Sequence, residues 1–63
     1  MNFQCYGYLF GKIKLIKDTH RDEVFIEETN LIVIQNNVWL FDYLGLVAIA
    51  KEILGDDLWN EKQ

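Results

Sequence analysis

One stretch of this sequence, running from Asp42 to Gly55, has the length and pattern of an amphipathic helix that can cover a sheet. With about 100° of turn per residue, its apolar side chains fall in one arc of about 160° that includes Tyr43. Among the large apolar residues, only Leu44 lies outside that arc. Asp42 is the predicted N-cap, because its carboxylate can accept first-turn N–H groups, and Gly55 suits the positive φ of a helix end. We therefore expect a C-terminal helix over about residues 42–54.

The residues before this helix carry strand patterns, beginning with one long strand from Met1 to Asp18. Alternation puts one set of residues on the face expected to meet the core: Cys5, Gly7, Leu9, Gly11, Ile13 and Leu15. The opposite face carries lysines, which belong in water, and it would expose Tyr6, Tyr8 and Phe10. The alternative is a bulge or bend at Gly11 that exchanges the two faces and buries these aromatic rings.

Three further strands are predicted, separated by polar turns: Glu23–Glu27, Leu31–Ile34 and Val38–Phe41. The first alternates charged and apolar residues, whereas the second is continuously apolar, as in a central strand covered on both faces. Asn36 and Asn37 indicate a tight hairpin turn, because asparagine tolerates positive φ. The expected fold is therefore a single α+β domain (residues 1–63), with a small antiparallel meander of 3–4 strands and one C-terminal helix packed on one face.

Size and composition indicate self-association or a standing protein partner. The chain has 63 residues, of which 51% are hydrophobic, and its single cysteine excludes an intramolecular disulfide. A chain this short has too little interior for so many apolar side chains. Because one helix covers only one sheet face, we expect a sheet-to-sheet homodimer built from the first-strand aromatics, Phe25, Trp39 and Phe41.

The charge pattern excludes some partners. A net charge of −4 with a pI near 4.6 disfavours a nucleic-acid surface, which needs clustered lysine and arginine.

No basic segment followed by an apolar run resembles a signal peptide, and the most apolar stretch, Val38–Ala50, is too short to span a membrane. With a free cysteine, these features predict a cytoplasmic protein.

The sequence offers little catalytic chemistry. It contains no serine, and its only members of the two main metal-ligand types are Cys5 and His20. Cys5 is expected to be an inert core residue, and His20 a solvated loop residue, although two flanking aspartates allow a metal or proton role. No glycine motif for phosphate is present, and the carboxylate pairs are chain neighbours that tend to point apart. We expect a protein that is not an enzyme and holds no cofactor or metal.

The acidic tail from Asp56 to Gln63 allows two interpretations. Asp56 can cap one more helical turn, so that Leu58 or Trp59 folds back on the core. Alternatively, the tail is an exposed acidic-aromatic hook for a basic groove on another protein.

These features predict a small acidic protein-interaction module, an inhibitor or adaptor that binds another protein. The predicted partner-binding residues are three aromatics of the first strand and three tail residues: Tyr6, Tyr8, Phe10, Asp56, Asp57 and Trp59. In size and composition the chain resembles the short inhibitors that phages and mobile elements encode against host defence enzymes. That resemblance is to a class and involves no sequence motif.

The same residues allow two alternative functions. The first is a dimeric protein that binds or sequesters a small, nucleotide-like ligand, with aromatic rings for stacking and Lys12, Lys14 and Arg21 for phosphates. The second is a structural subunit whose aromatic residues serve only self-assembly.

Overall fold

The computed structural model describes residues 2–60, which form five strands followed by one helix. The strands are β1 (Phe3–Leu9), β2 (Ile13–Asp18), β3 (Glu23–Ile26), β4 (Ile32–Gln35) and β5 (Val38–Trp39), and the helix is α1 (Tyr43–Asn60). Every strand pairs antiparallel with its sequence neighbour, so the sheet order is β1-β2-β3-β4-β5. The predicted α+β fold, a meander with a C-terminal helix, is confirmed. The predictions for Met1 and for residues 61–63 lie outside the described residues.

The predicted long first strand is instead a hairpin of β1 and β2. Phe10 and Gly11 both adopt positive φ, 54° and 69°, and they reverse the chain between Leu9 and Ile13. The chain does bend at Gly11, but the predicted burial of the aromatic rings holds only in part, for Phe10, since Tyr6 and Tyr8 stay exposed. A single strand over residues 1–18 is wrong. Glycine tolerates this conformation without strain, and the three-residue turn closes with a 3.0 Å hydrogen bond from Lys12 N–H to the Leu9 carbonyl.

A bulge in β1 corrects the prediction for Cys5. Cys5 pairs with Ile16 and Gly7 pairs with Leu15, so Tyr6 is an extra residue with no partner on β2. The extra residue shifts the alternation by one. Cys5 therefore lies on the opposite sheet face from Leu15 and is exposed, not part of the core.

A second bulge changes the predicted central strand. Val24 pairs with Ile34, but the next pair is Phe25 with Ile32, so Val33 is the extra residue and is fully buried. Ile32 shares the outer face with Phe25 and is only half-buried, so this chain alone does not cover the strand on both faces.

The turn that follows agrees with the sequence. Asn36 and Asn37 have φ values of 51° and 67°, as a tight primed hairpin requires. The last strand ends at Trp39, two residues earlier than predicted.

Helix α1 begins where the sequence indicates. The Gly45 N–H donates a 2.8 Å hydrogen bond to Oδ1 of Asp42, which confirms the N-cap. Gly55 has positive φ, as predicted, but with φ 81° and ψ 161° it is non-helical and divides α1 into two helical segments. The second segment runs to Asn60, which agrees with the further turn predicted after Asp56.

The core lies between α1 and one face of the sheet. Leu46, Ala50 and Trp59 of α1 belong to the same buried cluster as the core-facing strand residues: Leu9, Ile13, Leu15, Val24, Ile26, Val33 and Ile34. The opposite face, called the outer face below, carries no helix among residues 2–60.

Candidate protein-binding surfaces

Strand β1 forms one edge of the sheet and pairs only with β2. Its seven residues include no charged residue and no proline, and five of them are exposed: Phe3, Gln4, Cys5, Tyr6 and Tyr8. Proteins usually protect such an edge with charges, prolines or a cover, because its free N–H and C=O groups can pair with another chain. A β-bulge also protects an edge, and the bulge at Tyr6 is the one protective feature within this strand.

Of the two alternatives for the tyrosines of β1, the structure has the exposed one. Tyr6 is 51% exposed and Tyr8 is 59% exposed, so two large uncharged rings face solvent. A tyrosine in this position offers a rigid apolar surface and a hydroxyl group, and such residues often anchor protein interfaces.

Two other predicted partner-binding aromatics, Phe10 and Trp59, pack inside the molecule. Their rings meet edge to face with centroids 5.2 Å apart, and Trp59 is only 9% exposed. The prediction that Leu58 or Trp59 folds back on the core is confirmed for Trp59. Leu58 stays half-exposed. Phe10 and Trp59 therefore hold the molecule together and are not available as a free surface.

Lys12 connects the β1–β2 turn to the end of α1. Its Nζ donates hydrogen bonds of 2.9 and 3.0 Å to the carbonyls of Leu58 and Trp59. Asp56 and Asp57 directly precede these residues and are exposed. The structure thus brings the acidic pair to the end of the molecule where β1 finishes.

Sequence reasoning selected only Trp39 and Phe41 from a second exposed apolar segment, residues 38–44. Among residues 2–60, this segment holds five of the ten large hydrophobic side chains that are exposed: Val38, Trp39, Leu40, Tyr43 and Leu44. One signal was visible in the sequence, since Leu44 lies outside the apolar arc of the helix and is 74% exposed.

The outer face carries an apolar row that crosses four strands. Cys5 pairs with Ile16, Ile16 with Phe25, and Phe25 with Ile32, so these side chains share one face. Phe3 extends the row, because its ring meets that of Phe25 edge to face with centroids 6.0 Å apart.

An open groove of 360 Å³ lies on this face and is lined in part by Phe25 and Ile32 of the row. Phe3, Phe25 and Ile32 form its apolar walls, and Asp18, Glu23 and Arg21 add two carboxylates and a guanidinium group. This lining has more negative than positive groups.

The three cations considered for a phosphate ligand have different surroundings. Lys12 binds the end of α1, Lys14 Nζ lies 3.9 Å from Oε2 of Glu27, and Arg21 lines the acidic groove. Their positions do not converge on one anion.

Residues 2–60 contain no group of three or more histidine, cysteine, aspartate or glutamate side chains arranged to hold a metal ion. His20 is exposed, and its backbone N–H donates a 3.0 Å hydrogen bond to Oδ1 of Asp18. Within the same part of the chain, no helix combines the length and the apolar character that crossing a membrane requires.

Comparison with family models, with curated proteins and with solved structures finds no match to this chain.

Proposed function

We propose that this chain is a non-enzymatic protein-interaction module, an inhibitor or adaptor that binds another protein through the β1 edge. The observation that carries the proposal is an exposed, uncharged and proline-free edge strand with Tyr6 and Tyr8 on it. A partner strand can add to such an edge, with main-chain hydrogen bonds supplying affinity and side-chain contacts supplying specificity.

The proposal also specifies the chemistry of the partner. Tyr6 and Tyr8 require apolar or aromatic side chains opposite them, because their rings are large, exposed and uncharged. The exposed Asp56–Asp57 pair, at the end of the molecule where β1 finishes, favours a basic residue beside the added strand. The partner segment is therefore an extended apolar peptide flanked by lysine or arginine.

The biological context that we favour is a phage-type inhibitor of a host defence enzyme, acting in the cytoplasm. The small size, the net charge of −4 and the exposed free thiol of Cys5 support this context. In such a role the chain acts by occupying a surface of the enzyme, and it needs no chemistry of its own.

A random dodecapeptide display library tests the proposal. We expect the wild-type chain to enrich extended apolar peptides that carry a basic residue, and Tyr6→Ala or Tyr8→Ala to weaken binding of the selected peptides about tenfold or more. Slowed amide hydrogen exchange in β1 on peptide binding would identify the added strand.

Tyr43→Ala is the matched control, since Tyr43 is 67% exposed but lies outside β1. It should leave the affinity of the selected peptides unchanged. If Tyr43→Ala abolishes binding and the β1 substitutions do not, the docking surface is the 38–44 segment and the proposal is wrong. A library that yields no binder also contradicts it.

A further inference from the structure

The outer face has a charge pattern that is complementary to itself. The apolar row of Cys5, Ile16, Phe25 and Ile32 runs across the strands, and charged residues lie on its two sides. On one side, Lys14 is two residues before Ile16 on β2. On the other side, Asp18 pairs with Glu23.

The groove described above reaches this acidic side, and the chemistry of its lining suits a lysine side chain. Phe3, Phe25 and Ile32 offer apolar contact for a four-carbon stem, and the carboxylates of Asp18 and Glu23 suit the terminal ammonium group. Arg21 also lines the groove and reduces its negative charge without cancelling both carboxylates.

We propose that the outer face binds a second copy of this chain across a two-fold axis that runs along the apolar row. This axis reverses the strand direction, so the lysine side of one copy faces the acidic side of the other. Lys14 of each copy then enters the groove of its counterpart, and the two apolar rows pack on each other. An isologous pair of this kind is closed and stops at two copies.

The existing contact of Lys14 with Glu27 does not prevent Lys14 from binding the groove of the other copy. Its Nζ lies 3.9 Å from Glu27, and the two side chains are 40% and 56% exposed. Exposed ion pairs of this length contribute little, so Lys14 can leave Glu27 for the two carboxylates of the groove at small cost. Glu27 then faces the acidic side of the other copy, which limits the affinity.

The size of the face sets the strength of the dimer. Four strands of 7, 6, 4 and 4 residues, about 4.8 Å apart and about 17 Å long on average, give about 330 Å² per copy. A total of about 650 Å² belongs to the smallest and weakest protein contacts, so we expect a dissociation constant no tighter than the micromolar range.

Sedimentation equilibrium of the full chain from about 1 μM to 1 mM tests the proposal, since that range brackets a micromolar constant. Lys14→Glu and Glu23→Lys should each weaken the dimer about tenfold or more, because each places like charges opposite one another. The double variant should recover most of the lost affinity, since its two charges are complementary again. Glu23 is used for this reversal because its carboxylate accepts one exposed side-chain hydrogen bond, from Gln35, whereas Oδ1 of Asp18 accepts the N–H groups of His20 and Arg21 and supports the turn.

Lys51→Glu makes the same charge change at an exposed position on α1 and should leave the dimer unchanged. The thiol of Cys5 gives an independent readout because it lies in the apolar row. Its reaction with a maleimide should slow as the protein concentration rises through the dissociation constant.

A chain that stays monomeric at 1 mM would overturn the proposal. So would a dimer that Lys14→Glu leaves intact, or a double variant that folds, as judged by circular dichroism, but does not regain affinity. Loss of the dimer in Tyr6→Ala, with Lys14→Glu unaffected, would assign self-association to the β1 edge instead.

Discussion

Lys12 contacts Trp59 through both the backbone and the ring of that residue. Lys12 Nζ donates a 3.0 Å hydrogen bond to the Trp59 carbonyl and lies 5.7 Å from the centroid of the indole ring. Carbonyl groups at the end of a helix have no partner within the helix, and a cation satisfies both their hydrogen bonding and their partial negative charge. The turn of the first hairpin therefore caps the C-terminal segment of α1.

Replacement of Lys12 by methionine should lower the free energy of unfolding by about 1–2 kcal/mol, because the side chain keeps its apolar stem but loses its hydrogen bonds to two carbonyls. Urea unfolding measures the change. Lys51→Met, at an exposed position in the middle of α1, is the matched control and should change stability by less than about 0.5 kcal/mol. Equal losses for the two variants would mean that the contact with Leu58 and Trp59 adds nothing.

Trp59→Ala should destabilise the fold by about 3 kcal/mol or more, because it removes a buried aromatic side chain and leaves a cavity beside Phe10. The neighbouring Leu58→Ala should cost less than about 1 kcal/mol, since Leu58 is half-exposed. Chemical denaturation followed by circular dichroism compares the two variants. A similar cost for both would contradict the burial of Trp59.

Gly55→Ala should destabilise the protein by about 1–3 kcal/mol, because φ 81° with ψ 161° is a conformation that essentially only glycine adopts. An added Cβ would meet no atom within 4 Å, so the cost comes from the backbone alone. Chemical synthesis allows a sharp control: a D-alanine at the same position adopts this conformation without strain. We expect the D-alanine chain to match or exceed the wild type in thermal stability, whereas two equally weakened chains would contradict the backbone explanation.

Asp42→Ala should cost about 1 kcal/mol through loss of the N-cap, and Asp42→Asn should retain most of the stability because its side-chain oxygen still accepts the Gly45 N–H. For a chain of this size, about 1 kcal/mol corresponds to a fall in melting temperature of about 4–8 °C. Thermal unfolding of the two variants checks the prediction. If the asparagine and alanine variants melt together, Asp42 does not act as a cap.

The sequence predicted the parts of the fold that depend on local chemistry. The cap at Asp42, the positive φ of Gly55 and the turn at Asn36 each follow from the conformational preferences of single residues. Alternation also placed Leu9, Ile13 and Leu15 correctly in the core. These signals do not depend on the rest of the chain.

The predicted strand faces were wrong where a single extra residue shifts the alternation of side chains between the two faces of the sheet. No local signal marks Tyr6 or Val33 as the extra residue of a bulge, because bulges are fixed by the pairing of two strands. The exposure of Cys5 followed from the first bulge. The roles of Phe10 and Trp59 depend on a contact across 49 positions of sequence, so an aromatic residue predicted for a partner is instead an internal one.

The nearest-neighbour order of the sheet also has a kinetic consequence. Each of the four strand pairings joins segments that are adjacent in sequence, so each hairpin can form with little loss of chain entropy and without waiting for distant residues. Chains with such local contacts fold faster than chains dominated by non-local pairings. The packing of α1 on the sheet, which includes the contact of the first turn with Leu58 and Trp59, joins distant residues and is the part of the fold that loses more chain entropy.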